Sequence, residues 1–371
     1  MEFKMDRDRL LKSVSRVQSI IEKRSNMPIL STVLLTVTGS DLQISATDLE
    51  LGFQQMVAAE IVEDGSITIS GRKLFEILKE SRSPHVYVKE KENNWVSISD
   101  NVAQFDLACL PADEYPAFVE PEGVSMVEID GEMLSEMINK TIYSVTIEEA
   151  GFKLSGVFTQ KVDYGGNTFL RMVATDGHRL SMIDKSLPNM ELLDLGKGIM
   201  IPKKGLTELN KLASEGGAVH VGYKEKYCVA KWENIVLVIR LLEANFPDYR
   251  SVIPQQERFS IKANRISLLE AMRKMVILSN ERYRAVRISL DNDVMELVST
   301  NPDLGEAREN MPIQHRAERL EAGFNPRYFI DILQSMDSEE VSLGFVDNSK
   351  PCILKGEADE GFLGLIMPMR L

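Results

Sequence analysis

Leu170-Arg171-Met172-Val173-Ala174-Thr175-Asp176 is a β-type run that ends on a turn-forming Thr-Asp corner, and the chain carries three versions of it. Leu42-Gln43-Ile44-Ser45-Ala46-Thr47-Asp48 precedes it, and Met295-Glu296-Leu297-Val298-Ser299-Thr300-Asn301 follows it. The matching threonines stand 128 and 125 residues apart, close to a third of the 371-residue chain. Solenoid repeats are much shorter, roughly 20–50 residues, whereas this period is the size of a domain. The spacing predicts one fold present three times in series.

Other landmarks keep the same period. The middle of each third holds a helix-like segment: Ser70–Leu78, Ile201–Leu209 and Asn325–Leu333. Each opens on a helix-start signal with one or two basic residues, then places apolar side chains at helical spacing. Pro202 and Pro326 suit the first helical position, where a fixed φ and a missing N–H cost nothing. A longer helix opens each third, over Asp6–Glu22, Asp130–Ser144 and Asn264–Ser279, and alternating strands follow, such as Thr32–Val37 and Val294–Ser299. The pattern predicts an α+β fold, with antiparallel sheets wet on one face and covered by helices on the other. Charged, Pro-adjacent stretches at Glu120–Ser125 and Ile253–Arg258 place the domains at residues 1–122, 123–254 and 255–371.

At 44% hydrophobic and 27% charged residues, the composition is that of an ordinary globular chain. No stretch approaches the ~18 apolar residues that span a bilayer, so no membrane partner is expected. Met1–Arg7 is too charged to begin a secretory leader. Cys109, Cys228 and Cys352 are far apart and lack metal-ligand spacing. A cytoplasmic, reduced protein with no cofactor and no metal is the expectation.

A net charge of −13 argues against nucleic acid when taken alone. The cations, however, are segregated. Arg9, Lys12 and Arg16 share one face of the first helix, away from Leu10, Val14, Val17 and Ile21. Arg72-Lys73 and Lys203-Lys204 recur at matching helix starts, and Arg265, Arg273 and Lys274 ride the helix Asn264–Leu278. Acids collect in segments that read as loops: Glu60–Asp64, Asp113-Glu114, Glu120–Glu122, Glu191–Asp194 and Glu357–Glu360. On one helix this is an ordinary solvated face. Repeated in three domains, it favours a basic surface that holds phosphates without reading bases.

Ala174-Thr175-Asp176-Gly177-His178-Arg179-Leu180, Asn245-Phe246-Pro247-Asp248-Tyr249-Arg250 and Met367-Pro368-Met369-Arg370-Leu371 together resemble the bacterial β sliding clamps. So do Pro28-Ile29-Leu30 and Ile277-Leu278-Ser279-Asn280-Glu281, and the likeness runs the whole chain. The resemblance implies three DNA-clamp domains and a head-to-tail homodimer closed around duplex DNA. It also implies a tether for the replicative polymerase, a clamp loader driven by ATP, and no catalysis. It implies one pocket for partner peptides between the second and third domains, at Leu154, Thr175, Gly177, His178, Arg179, Leu180, Pro247, Val252, Leu365, Met367 and Met369. Leucine, valine, proline and methionine suit an adaptable apolar groove, with His178 and Arg179 placed to fix the ends of an extended peptide. Ser251 departs from the family, which often has an arginine there.

For DNA, the resemblance points to Arg24 and to the loop Ile147–Lys153, with Phe152 and Lys153, although Glu148 and Glu149 in that loop repel phosphate. Arg72, Lys73, Lys203 and Lys204 join them on charge and placement. For the dimer, it sets Phe105 and Leu107 on an edge strand against Ile277 and Leu278 on a helix. Two rival readings remain. In an enzyme, Asp176 and His178 would be acid–base partners, although no serine elbow or glycine phosphate loop accompanies them. In a protein-only scaffold, the basic helices would never meet DNA.

Overall fold

The computed structural model describes residues 1–21, 26–146, 154–243, 245–279, 285–291, 293–313 and 319–370. Its six described helices are α1 (Arg7–Val17), α2 (Gly71–Glu80), α3 (Gly131–Asn139), α4 (Lys203–Ala213), α5 (Arg265–Ile277) and α6 (Pro326–Ser335). Each third thus holds two, as the period predicts. None is long and apolar enough to cross a membrane.

Local chemistry sets where these helices start and stop. Asp6 accepts from the Arg9 N–H at 2.9 Å and caps α1, and Asn264 and Asn325 do the same for α5 and α6. Leu10, Val14 and Val17 are fully buried, so the predicted apolar face of α1 is the packed one. The opening helices are shorter than expected because polar side chains take the carbonyls of their last turns. Gln18 donates to the Val14 carbonyl at 3.1 Å, and Thr141 donates to the Met137 carbonyl at 2.8 Å. After α3 the chain resumes only as the 3-10 turn Ile142–Ser144. Pro326 does open α6, but Pro202 is the last residue of the strand Ile199–Pro202 and α4 begins after it.

The chain forms two compact units. The first comprises Met1–Gly131, Glu191–Asp194 and Thr207–Leu241. It contains a five-stranded sheet in the order Glu60–Glu63, Glu2–Asp6, His85–Lys91, Trp95–Ser99 and Gln104–Ala108. It also contains an eight-stranded sheet in the order Met126–Asp130, Ala218–Lys224, Tyr227–Trp232, Ile235–Arg240, Leu51–Ala58, Asp41–Thr47, Thr32–Thr38 and Gly65–Ser70. The acidic Glu60–Glu63, read as a loop, is therefore an edge strand, and Glu60 meets Lys4 at 3.3 Å across it.

The second unit comprises Glu132–Met190, Leu195–Leu206 and Leu242–Leu371. Its eight-stranded sheet runs Ile199–Pro202, Gly156–Tyr164, Asn167–Thr175, Arg179–Lys185, Phe362–Ile366, Cys352–Gly356, Glu340–Phe345 and Phe259–Asn264. A four-stranded sheet runs Gly305–Pro312, Val294–Asn301, Val286–Asp291 and Leu320–Phe324. All the pairings are antiparallel. Both eight-stranded sheets join four strands from one third to four from the next. Leu237 pairs with Phe53 at one join, and Leu180 pairs with Leu365 at the other.

Candidate functional site

The repeated corner is a hydrogen-bonded turn. Thr175 Oγ1 donates to the Arg179 carbonyl at 2.6 Å and accepts from the Gly177 N–H at 3.1 Å. Asp176 Oδ1 accepts from the backbone N–H groups of His178 and Arg179, both at 3.0 Å. Thr47 and Asp48 make the same set of bonds to Leu49, Glu50 and Leu51. In the third copy Asn301 accepts from the Asp303 N–H at 3.0 Å. The first two turns deliver the strands that pair with the neighbouring four-stranded half, and the third delivers Gly305–Pro312, an outer strand of its sheet.

In the second unit, the turn and the strand after it border an apolar groove of about 400 Å³. Leu154, Thr175, Gly177, Arg179, Leu180, Pro247, Val252, Leu365 and Met367 line it, so nine of the expected pocket residues come together from distant parts of the chain. Asn245, Asp248 and Tyr249 line it as well. The sequence held a signal for these three, since they lie in the run Asn245-Phe246-Pro247-Asp248-Tyr249-Arg250, but of that run only Pro247 was read as lining, with Val252 just beyond it. His178 and Met369, expected in the pocket, are not among its lining residues. The exposed His178 ring stacks on Tyr328 at 6.5 Å, and the Met369 N–H donates to the Gly323 carbonyl at 2.8 Å. Ser251 is exposed and donates to the Asp248 carbonyl at 2.7 Å.

Arg179 is a hub of this site. Its side chain is 10% exposed and donates to Asp176 at 3.0 Å, Asp331 at 2.5 Å and the Tyr143 carbonyl at 2.6 Å. The guanidinium also lies over Tyr328, 4.7 Å from the ring centre. Three of its five N–H donors are thus committed inside the protein, which makes it a builder of the groove wall. Asp176 serves as a turn cap and a partner to Arg179. In this structure it meets the His178 backbone, not the His178 ring as an acid–base pair requires.

Arg24, Phe152 and Lys153 lie outside the described residues. Arg72 and Lys73 sit in the first turn of α2, and both pair with Glu76, at 2.9 and 2.7 Å. Lys203 and Lys204 open α4, with Lys204 exposed. Burial, reinforced by the nearby Arg179 charge, holds the Lys203 ammonium below the usual lysine range. On α1, Arg16 and Lys12 pair with Glu215 at 2.7 and 3.2 Å. Arg265 is no surface cation: it donates to the Ser338 and Leu333 carbonyls at 2.7 and 3.1 Å, closing the end of α6.

Phe105 and Leu107 lie on Gln104–Ala108, the outermost strand of its sheet, and Phe105 is 39% exposed. Ile277, the last residue of α5, is 73% exposed, and Leu278 follows it as the cap. Among the described residues no group of three or more His, Cys, Asp and Glu side chains is gathered to hold a metal ion.

Three family models match this chain in order. They describe the DNA polymerase III beta subunit's N-terminal domain at residues 1–119, its central domain at 128–248 and its C-terminal domain at 250–370. The Beta sliding clamps of Pseudomonas aeruginosa and Pseudomonas putida are 30% and 31% identical to it, over all of this chain and all of theirs. Among solved structures, the sliding clamp of Bartonella birtlesii bound to griselimycin matches with a TM-score of 0.94 at 30% identity, covering 100% of both chains. The sliding clamp of Caulobacter crescentus matches with a TM-score of 0.93 at 28% identity, again over 100% of both. With the triplicated fold, the groove and full-length matches in agreement, the chain belongs to the DNA polymerase III beta subunit family, the non-catalytic sliding clamps of bacterial replication.

Proposed function

We propose that two copies of this chain close head to tail around duplex DNA and tether the replicative polymerase and other partners through the groove at Leu180 and Met367. One observation carries the ring. The strand after the first corner, Leu51–Ala58, pairs with the last strand of the second third, Ile235–Arg240. The strand after the second corner, Arg179–Lys185, pairs with the last strand of the third, Phe362–Ile366. By the same rule the strand after the third corner, Gly305–Pro312, needs the last strand of a first third, Gln104–Ala108. Both are outer strands here. Unpaired edges are a liability unless something covers them, Phe105 is exposed on one of these two, and a second copy covers them at both ends of the chain. The domain boundaries we assign are those at residues 122 and 254.

The groove suits an extended apolar peptide, with Asn245 and Asp248 offering polar contacts at its edge. The basic helix faces suit a phosphate backbone held diffusely, so that no register is favoured. The direct test is retention on circular against linear DNA by gel filtration at moderate salt, after loading with a matched clamp loader and ATP. Stable retention on circles, lost when the circle is cut, is the expected result. Equal release from both overturns the ring.

A further inference from the structure

A row of polar side chains crosses three neighbouring strands of the second unit, on residues that no reading of the groove includes. Gln160 stands opposite Arg171, and Arg171 opposite Asp184. Asp184 accepts from Arg171 Nε at 2.7 Å and from Nη2 at 2.6 Å, a bidentate pair whose side chains are 14% and 7% exposed. At the other end of the row, Gln160 Nε2 and Arg171 Nη1 both donate to the Tyr249 hydroxyl, at 2.5 and 3.2 Å.

Tyr249 lines the groove and is 5% exposed, packed among Val173, Leu180 and Leu365. It begins the 3-10 turn Tyr249–Val252, which with Pro247 and Asp248 forms one wall. The wall's own backbone N–H groups bond locally: Arg250 to the Asp248 carboxylate and Ile253 to the Arg250 carbonyl. No strand of the sheet includes it. Side chains therefore hold the wall to the sheet: Phe246, stacked on Phe158 at 5.0 Å, Ile253 and the Tyr249 ring packed on the core, and, as its polar tie, the Tyr249 hydroxyl at the end of the row.

We propose that Gln160, Arg171 and Asp184 are positioning residues for the groove. They fix the Tyr249 hydroxyl and so hold the Pro247–Val252 wall at the width an extended apolar peptide needs. The inference rests on the peptide reading above. A wall fixed beforehand spares the peptide the cost of ordering it, and a wall only partly populated in that position lowers the apparent affinity by the missing fraction.

The probe comes from short labelled peptides tiled across the cognate replicative polymerase, taking the one that binds wild type most tightly. Tyr249→Phe and Gln160→Leu should each weaken this probe about tenfold, the worth of one such hydrogen bond. In the free protein, amide exchange at Arg250–Ile253 should quicken. Ile261→Val, buried on the far outer strand of the same sheet, lowers the melting temperature but leaves affinity and exchange in place, which separates positioning from mere stability. Arg171→Leu strands the Asp184 charge and risks misfolding, so the test does not depend on it. Wild-type affinity and exchange in Tyr249→Phe overturn the proposal. If Met367→Ala leaves the probe's affinity intact, or no tiled peptide binds, the peptide reading itself fails. Exchange at the wall then decides the positioning claim: quickened exchange in Tyr249→Phe supports it and unchanged exchange overturns it.

Discussion

Gly177 and Leu49 occupy the same place in two copies of one turn, two residues after Thr175 and Thr47, with φ of +86° and +74°. A side chain at this φ crowds its own backbone, at a cost of about 1–2 kcal/mol, and glycine avoids it. Leu49 is 52% exposed, so burial offsets little of that strain. Leu49→Gly should therefore stabilise the first unit by up to about 1 kcal/mol, after allowing for glycine's larger unfolded-state entropy. A Cβ on Gly177 would meet nothing within 4 Å. Gly177→Ala should then lose about 1 kcal/mol from conformation alone while leaving the groove open. Calorimetric melts of both variants check the pair. Shifts of the same sign would mean that φ is not what separates the two turns.

Between elements, the clearest tie is Lys140, just past the end of α3. It is 1% exposed and meets Asp359 at 2.7 Å, Glu136 at 2.7 Å and Asp337 at 3.0 Å. Burial pushes the ammonium's pKa down, but its hydrogen bonds to Asp359, Glu136 and Asp337 outweigh this and raise it above the usual lysine range. Burial likewise pushes the Asp359 carboxyl up, and bonds from Lys140 and Ser338 carry it below the ordinary range. A raised lysine contributes stability that is lost only as pH rises through its folded value, well into the alkaline range. A lowered aspartate contributes stability present above its unfolded pKa, about 3.9, and lost as pH falls through its lower folded value. Lys140→Met should cost about 3–5 kcal/mol at neutral pH because it leaves buried carboxylates unpaired. The gap in melting temperature from wild type should narrow in acid, where Asp359 protonates in both. An unchanged melt at neutral pH would mean that the cluster contributes nothing.

How much of this was legible follows from which signals are periodic. The buried face of α1 and the two helices of each third were readable because apolar spacing repeats, but the short strand ahead of each first helix, Glu2–Asp6, Met126–Asp130 and Phe259–Asn264, was read as helix or passed over. The early helix ends set by Gln18 and Thr141 were not readable, since a side chain's choice of carbonyl has no period. The groove's apolar members were readable through the resemblance to the clamp family, not from any one stretch's chemistry. Tyr249's tie to Gln160 and Arg171 depends on register across three strands, which no single stretch of sequence encodes. Arg265 read as one more surface cation because the carbonyls it closes, Leu333 and Ser338, lie about 70 residues away.

At the scale of the whole molecule, the missing pairing predicts what assembly depends on. Val102, Phe105, Ile277 and Leu304 are 93%, 39%, 73% and 69% exposed, and each lies at or near one of the two outer strands or the end of α5. Charge around the same strands is largely paired within the chain: Lys91 meets Asp106 at 2.7 Å, and Arg308 meets Glu296 at 3.0 Å and Glu306 at 3.1 Å. In the proposed ring, apolar contact and strand pairing would then supply most of the closure, and salt should weaken it little. Phe105→Asp combined with Ile277→Asp places charge on both sides of the contact while disturbing little inside each copy, because both side chains are already exposed. Losing such anchors costs about 2 kcal/mol or more each, which multiplies the dimer dissociation constant by at least about 30 per anchor. Sedimentation should show the variant as a monomer that melts like wild type and binds the polymerase peptide, because the groove lies within one unit of a single chain. On circular DNA the same variant should slip off as fast as from linear DNA. A variant that stays dimeric and is retained on circles would place the closure elsewhere and remove the strand-pairing rule as its basis.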